Sequence, residues 1–304
     1  MPKRKTFQIV NGLLLLDKPA GVTSNAALQR VKHLLGATKA GHVGTLDPLA
    51  SGLLPVCLGE ATKFSSSAFL ADKVYLAEIM LGVTTATGDA EGEVMTREPV
   101  CVGLQEIRET LRQFVGTIAQ TPPAYSAVKS NGKPLYFYAR QGKPVTVASR
   151  QVQIYELRLL DCSTKNLHVH VHCSSGTYIR TLAEDIGKKL GCGAMLASLR
   201  RARVGAFDIS QATDFDAIEA VPAERRASLL LRIDNLVATL PECVLDPIAV
   251  HRIMTGRAAS GISVEQRGRV RLYDSQRRFL GIGEALAEGA VVPRRLLSEI
   301  AISN

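Results

Sequence analysis

The sequence has no closely spaced pair of cysteines. Its six cysteines stand well apart along 304 residues, and none forms the C-x-x-C spacing typical of zinc ligands or redox disulfides. This pattern argues against a structural zinc site and against a disulfide framework. We expect buried thiols in a reducing compartment at Cys57, Cys101, Cys162, Cys173, Cys192 and Cys243.

An apolar run long enough to cross a membrane is also missing. Residues 3–5 are basic, as at the start of a signal peptide, but Asn11 and Gly12 interrupt the apolar segment that follows. A membrane-spanning helix needs about 20 consecutive apolar residues. We therefore expect a soluble, cytoplasmic protein with no membrane partner.

Most standard catalytic signatures are absent. The sequence contains no P-loop, no G-x-S-x-G elbow and no H-E-x-x-H motif. The glycine-rich segment GHVGTLDPLASG at residues 41–52 does not match a dinucleotide-binding fingerprint. It holds one carboxylate, Asp47, between His42 and Pro48. Because a lone aspartate in a loop is most often a turn former, the residue pattern by itself gives Asp47 no catalytic role.

The composition is that of a basic globular protein. Hydrophobic residues make up 46% of the chain, enough to bury a sizeable core. The 37 lysines and arginines exceed the 28 acidic residues and give a formal net charge of +9. This excess favours a polyanionic partner such as a nucleic acid.

Hydrophobic periodicity predicts six regular elements. They are strands at 13–16 and 74–82 and helices at 24–35, 104–115, 179–190 and 220–240. Thr23 or Ser24 can cap the first helix, and Gly36 follows its end.

Two segments are strongly basic. Residues 121–150 contain no acidic residue and interleave cations with aromatics, which suits phosphate contacts and base stacking. An extended surface loop or hairpin explains this composition almost equally well. Residues 251–278 carry seven arginines against two acidic residues.

The second basic segment includes a predicted β-hairpin at 267–278. Its alternation places Val270 and Leu272 inward, and Arg269, Arg271 and Tyr273 outward.

Three histidines alternate along the segment LHVHVHC. His168, His170 and His172 therefore share one face of a strand. Imidazoles spread along one strand are too far apart to chelate easily, and no acidic residue or cysteine on that face completes a metal site. We expect no metal there.

Five motifs, in order, closely resemble those of the TruB family of tRNA pseudouridine-55 synthases. The segment GHVGTLDPLASGLLPVCLGEATKF, which begins at residue 41, resembles the family signature G-x-L-D-P-x-A-x-G-x-L. The other four are LLDKPAGVTS at 15–24, KVYLAEIMLGVTTATGDAEG at 73–92, the basic segment at 121–150, and CSSGTYIRTLAEDIG at 173–187. Together they span most of the first two hundred residues, which makes the resemblance very specific.

The resemblance implies an α+β fold, the pseudouridine synthase fold, with a mixed, largely antiparallel central sheet. It also implies a catalytic domain at 1–244 with an RNA-gripping insertion at about 121–150. A small, β-rich, PUA-like RNA-binding domain is expected at 245–304, although that part of the resemblance is shorter.

Site residues follow from the same resemblance. Asp47 matches the catalytic carboxylate, Arg180 its salt-bridging partner, and Tyr75 the tyrosine that stacks on the uracil. Tyr75 is a poor base at neutral pH, because an unperturbed phenol has a pKa near ~10.

Four further residues match supporting positions of the family. His42 matches a residue that fills the space left by the flipped base. Lys18, Asp89 and Tyr178 are expected to support the pocket, although core packing explains these three about equally well.

The function implied is isomerisation of the T-loop uridine of tRNA, U55, to pseudouridine. Base flipping precedes cleavage and rejoining of the glycosidic bond, which needs neither a metal nor another cofactor. We expect a monomer without an obligate protein partner.

Three alternatives stay open. One is a non-catalytic RNA-binding protein or tRNA folding factor on the same fold, which would not need Asp47, Tyr75 and Arg180 together. Another is a guide-RNA-dependent enzyme that modifies ribosomal RNA. The third, a metal enzyme built on the three histidines, is least favoured.

Overall fold

The computed structural model describes residues 10–126, 128–130, 132–139, 141–143, 145, 147–262, 267–286 and 289–298. The strands are β1 (Gly12–Lys18), β2 (Ala40–His42), β3 (Ser51–Leu58), β4 (Lys73–Leu81), β5 (Val83–Thr85), β6 (Val94–Arg97), β7 (Gly116–Gln120), β8 (Lys129–Ser130), β9 (Lys133–Pro134), β10 (Arg150–Cys162), β11 (Asn166–Cys173), β12 (Ala194–Val204), β13 (Phe207–Asp208), β14 (Glu242–Val244), β15 (Gly268–Tyr273), β16 (Phe279–Ala285) and β17 (Val291–Leu296). The α-helices are α1 (Ser24–Leu34), α2 (Ser65–Phe69), α3 (Leu104–Gln113), α4 (Leu135–Ala139), α5 (Ile179–Lys189), α6 (Phe215–Ala220) and α7 (Pro247–Met254).

A large central sheet organises the first part of the chain. Its strand order is β1-β3-β12-β4-β11-β10-β7, with β2 paired to β3 and β13 paired to β12. The β3–β12 pair is parallel, and the other pairs of this sheet are antiparallel. The predicted mixed, largely antiparallel sheet is therefore confirmed.

Amphipathic helices cover the sheet and form its main core. Helix α5 packs on β12, α3 packs on β10, and α1 packs on β3. Leu182 and Ile186 of α5 join Ile79 and Val169 of the sheet in one buried cluster. Of the two predicted caps of α1, Thr23 is the one that accepts a hydrogen bond, from the Ala26 amide. This packing fixes the positions of the strands in the sheet.

The C-terminal part is β-rich, as predicted. Its sheet has the order β14-β15-β16-β17 and, together with α7, encloses a core that includes Ile253, Leu272 and Leu280. A second apolar cluster joins this part to the rest of the chain, with the rings of Phe64 and Phe279 5.5 Å apart. The domain division after residue 244 stays a prediction.

The helix predicted at 220–240 is wrong. The chain forms α6 and two 3₁₀ helices, Ala223–Leu229 and Ile233–Val237, with extended backbone at Leu230 between them. Pro222 ends the helical run after α6, because its ring cannot continue the hydrogen-bond ladder. Leu231 then pairs with Leu13 of β1, so tertiary pairing overrides the helical composition.

A hairpin forms from β15 and β16, but β16 begins at Phe279, beyond the predicted range of 267–278, and the outward placement of Tyr273 is wrong. A bulge between Leu272 and Tyr273 interrupts the alternation, and both side chains are buried. The Tyr273 hydroxyl donates a hydrogen bond to the carboxylate of Asp234 at 3.0 Å.

Within the described residues, no helix is long and apolar enough to cross a membrane.

Candidate active site

A cavity of about 290 Å³ opens where the loop between β2 and β3 meets β4, β12 and the start of α5. Its wall includes Asp47, Tyr75, Tyr125, Tyr178, Arg180 and Arg201. Four residues predicted from the sequence thus lie together: Asp47, Tyr75, Tyr178 and Arg180. Strand pairing and the position of α5 bring them into one site.

Asp47 and Arg180 form an ion pair in this cavity. The Arg180 Nη2 atom lies 2.9 Å from the Asp47 Oδ2 atom. The guanidinium is buried, whereas the Asp47 side chain is 42% exposed. Arg180 therefore holds the carboxylate on one side, and the other side is open to the cavity.

Arg180 also contacts a second carboxylate. Its Nη1 atom lies 3.4 Å from Asp89 Oδ2, and Asp89 is buried. The guanidinium donates further hydrogen bonds to the carbonyls of Thr87 at 3.2 Å and Tyr125 at 2.8 Å. This set of acceptors uses the planar donor fork of arginine and fixes its orientation.

Opposing effects set the ionisation of Asp47. Burial raises the pKa of Asp47 above its ordinary value, the positive charge of Arg180 opposes that shift, and the negative charge of Asp89 adds to it. The net direction is upward. The exposed front of the carboxylate lets water stabilise its charge while the cavity is open.

The backbone of the Asp47 loop is bonded to the LLDKPAGVTS segment. The Gly21 amide donates a hydrogen bond to the Pro48 carbonyl at 2.8 Å. Lys18 is fully buried and donates to the carbonyls of Pro19 and Val22, which shapes the same turn. Burial is the main cause that lowers the pKa of Lys18 to about 8. Lys18 is not among the residues that line the cavity.

Gly52 ends the Asp47 loop at a close contact with β12. Its φ is +100°, and a Cβ atom at this position would lie 2.4 Å from the Arg201 carbonyl oxygen. Only glycine permits both the left-handed backbone and this approach. The last glycine of the signature therefore brings the loop against β12.

Tyr75 lies on β4 and is buried beside Arg201. Burial raises the pKa of the Tyr75 phenol, and the positive charge of Arg201 opposes the shift. Tyr75 therefore favours its neutral form, which agrees with the expectation that the phenol is a poor base at neutral pH.

Tyr178 lies at the cavity wall immediately before α5. Its amide donates to Gln120 Oε1 at 3.0 Å, and its carbonyl accepts from Gln120 Nε2 at 3.2 Å. The guanidinium of Arg150 lies 5.1 Å from the centre of the Tyr178 ring. These contacts tie the start of α5 to β7 and β10.

His42 lies on β2 and is absent from the cavity wall. Its ring is partly buried, and its Nδ1 atom has no hydrogen-bond partner in the described part of the chain. Burial lowers the pKa of His42, with the charge of Arg201 as a smaller cause. Its proposed role in filling the space of a flipped base stays a prediction.

Sequence reasoning missed Arg201 and Lys73, which also line the cavity. Tyr125, another residue of the wall, is one of the aromatics of the basic segment 121–150, for which the sequence predicts base stacking. The signal for Arg201 is weak, because it stands in the run LRRARV, whose other arginines are partly exposed. Register alone places Arg201 inward. Lys73 donates to the carbonyls of Phe69 and Ala71 at the cavity wall.

The three histidines of β11 do share a strand face. His170 lies 3.5 Å from Glu156, and His172 stacks near Tyr155, with ring centres 4.9 Å apart. Across the described ranges, no cluster of three or more histidine, cysteine or acidic side chains is arranged to hold a metal ion.

Family models match three consecutive parts of the chain. Residues 32–179 match the TruB family pseudouridylate synthase N-terminal domain, and residues 180–241 match the tRNA pseudouridylate synthase B C-terminal domain. Residues 241–297 match the C-terminal domain of pseudouridine synthase II TruB.

Relatives that match this chain over nearly its whole length agree with the family models. A protein of Aromatoleum aromaticum named tRNA pseudouridine synthase B is 50% identical and covers 99% of this chain and 97% of its own length. A protein of Thiobacillus denitrificans with the same name is 50% identical over 96% of this chain and 98% of its own.

A solved structure shares the fold. The matching chain of a crystal structure of a Cbf5–Nop10–Gar1 complex superposes with a TM-score of 0.72 at 27% identity, covering 97% of this chain and 87% of that one. Sequence, fold and the grouping of Asp47, Tyr75 and Arg180 agree. The chain therefore belongs to the TruB family of pseudouridylate synthases, which are isomerases.

Proposed function

We propose that this enzyme isomerises the T-loop uridine of tRNA, U55, to pseudouridine. The observation that carries the proposal is the Asp47 carboxylate, open to a cavity on one side and held 2.9 Å from the buried Arg180 on the other. The relatives named tRNA pseudouridine synthase B support tRNA as the substrate.

The reaction explains why a carboxylate is needed. The bond from ribose C1′ to uracil N1 breaks, the base turns, and C1′ joins C5, while C5 loses a proton and N1 gains one. Because atoms and electrons balance, the isomerisation needs no external oxidant or reductant. An ionised Asp47 serves either of two routes: attack on C1′, or elimination to a glycal.

Each residue of the site has a proposed role. Arg180 orients the Asp47 carboxylate and stabilises its charge, and Asp89 holds Arg180 from the other side. The Tyr75 ring stacks against the uracil, and Tyr178 forms another part of the cavity wall.

The target base must leave its stack in the T loop to enter the cavity. We assign His42 to the space that the base vacates and Lys18 to the support of the Asp47 loop. Residues 121–150 grip the RNA. There, Lys133 lies 4.4 Å from the centre of the Phe137 ring, so a cation and an aromatic face stand together.

We also propose how the chain divides into domains and in which state it acts. Residues 1–244 form the catalytic domain, and residues 245–304 form a PUA-like domain that contacts the RNA backbone. The enzyme acts as a cytoplasmic monomer and needs no obligate protein partner.

The test is release of tritium from a tRNA transcript labelled at uridine C5, because that hydrogen leaves when C5 bonds to ribose. The assay adds no cofactor and includes excess chelator. We expect one equivalent from the wild type and none from Asp47→Asn, with tRNA affinity within a few fold. Asp17→Asn is the matched control, since Asp17 pairs with Arg200 at 2.6 Å and is absent from the cavity wall.

Two results would contradict the proposal. If the wild type binds tRNA but releases no tritium, the protein is an RNA-binding or folding factor on this fold. If Asp47→Asn loses most of its tRNA affinity, Asp47 has a structural or binding role.

A further inference from the structure

Arg201 is a buried cation for which the described part of the chain offers no acidic partner. Its side chain is almost fully enclosed, at 1% exposure, and it forms no salt bridge within the described residues. Its Nε atom donates to the Leu53 carbonyl at 2.7 Å, and its Nη2 atom donates to the Gly44 carbonyl at 2.9 Å. Enclosing an unpaired charge is costly, so carbonyl anchoring alone is a weak reason for an arginine at this position.

Tyr75 is the neighbour that faces this charge. Arg201 on β12 is the direct cross-strand partner of Tyr75 on β4, and both side chains reach the cavity wall. Side chains at such positions start about 5 Å apart at their Cβ atoms. The positive charge of Arg201 acts on the Tyr75 phenol, where it opposes the rise in pKa that burial causes.

The chemistry of the two groups gives this contact a direction. A guanidinium has donors and no acceptor, so in a hydrogen bond between these two groups the phenol oxygen would be the acceptor. Such a bond would leave the phenol proton free to point elsewhere. The bonds to Leu53 and Gly44 fix the orientation of the guanidinium across the strand pair from Tyr75.

We propose that Arg201 is a positioning residue for Tyr75, which it orients in the cavity and supplies with an adjacent positive charge. The inference rests on the proposed isomerase function and deepens it. It makes the Tyr75 hydroxyl, and not only its ring, important for turnover. The competing explanation is that Arg201 only anchors the Asp47 loop through Gly44 and Leu53.

A double-mutant cycle separates the two explanations. Arg201→Lys keeps the charge but cannot reach both carbonyls and the phenol with one planar fork. Single-turnover tritium release from C5-labelled tRNA transcript is measured in the wild-type and Tyr75→Phe backgrounds, with long incubations for slow variants. We expect Arg201→Lys to slow the wild type about 10-fold or more and the Tyr75→Phe enzyme less than about 2-fold.

Equal slowing in both backgrounds would overturn the inference, because an anchoring role does not depend on the phenol hydroxyl. Arg200→Lys is the matched control, since the neighbouring Arg200 pairs with Asp17 outside the cavity wall. Its rate should stay within about 2-fold of the wild type.

The pH profile of single-turnover tritium release gives a second readout. Arg201→Met removes the positive charge beside Tyr75. Loss of an adjacent cation raises the pKa of a phenol. The limb of the profile that Tyr75→Phe abolishes should therefore move to higher pH in Arg201→Met. A uniform decrease without displacement would overturn the inference. Absence of tritium release from the wild type would instead refute the isomerase function itself.

Discussion

Ser24 holds both backbone groups of Leu46. Its hydroxyl donates to the Leu46 carbonyl at 2.7 Å and accepts from the Leu46 amide at 2.8 Å, and the side chain is buried. One hydroxyl thus fixes the residue immediately before Asp47. The last residue of the LLDKPAGVTS segment thereby positions the catalytic loop of another motif.

Ser24→Ala should therefore loosen the loop. Both Leu46 groups would lose their partner in a buried site, which costs about 1–3 kcal/mol of unfolding free energy. We expect a lower single-turnover rate with tRNA affinity preserved, measured alongside urea unfolding. Thr23→Ala, which removes the α1 cap, should lower stability by about 1 kcal/mol and leave the rate unchanged. An equal rate loss in both variants would count against loop positioning.

Removing Arg180 should damage stability and activity by separable routes. Arg180→Met leaves Asp89 as an uncompensated buried carboxylate, at a cost of about 3–5 kcal/mol. Adding Asp89→Asn removes that charge and should restore most of the stability, measured by urea unfolding. Tritium release should stay absent, because Asp47 still lacks its partner. Recovery of activity in the double variant would show that Arg180 acts only on stability.

The pH dependence of the turnover rate should follow the ionisation of Asp47. Since turnover needs its carboxylate and its pKa is raised, the rate should fall with decreasing pH at a midpoint above 3.8. Because the pKa of Asp47 is higher in the folded state than in the unfolded chain, protonation of Asp47 favours the folded state. The contribution of Asp47 to stability therefore increases as the pH falls through the raised pKa.

Asp89→Asn removes a negative charge that raises the pKa of Asp47, so it should move this midpoint to lower pH. Single-turnover rates across the acid range measure both midpoints. A midpoint at or below 3.8 in the wild type, or an upward shift in the variant, would contradict this electrostatic account.

The C-terminal sheet should contribute phosphate contacts. Arg269 and Arg295 are exposed, form no ion pair within the described ranges, and line one cleft beside Lys63. If each contacts a phosphate, Arg269→Gln with Arg295→Gln should weaken tRNA binding and reduce its salt slope by about 1.5–2.

Binding isotherms at several salt concentrations measure that slope. Arg277→Gln is the control, because Arg277 pairs with Glu242. An unchanged slope in the double variant would place the phosphate contacts elsewhere. Point variants are preferable to deletion of residues 245–304, because Tyr273, Phe279 and Ile282 pack into a core shared with Phe64.

Local sequence determined the elements with clear periodicity and caps. Thr23 begins α1, alternation defines β4, and the apolar spacing of residues 104–115 defines α3, because these signals act between near neighbours. The motifs also identified Asp47, Tyr75 and Arg180, whose grouping the fold then revealed. Their individual roles stay predictions.

Tertiary structure alone decided the rest. The pairing of β4 with β12 places Arg201 opposite Tyr75, and strand register is not encoded in the periodicity of either strand. A bulge buries Tyr273, and pairing with β1 draws Leu231 out of a helical composition. The Arg180 contacts to Asp47 and Asp89 likewise join residues distant in sequence. Such pairs form only when the chain packs, because their energies depend on burial and geometry rather than on spacing.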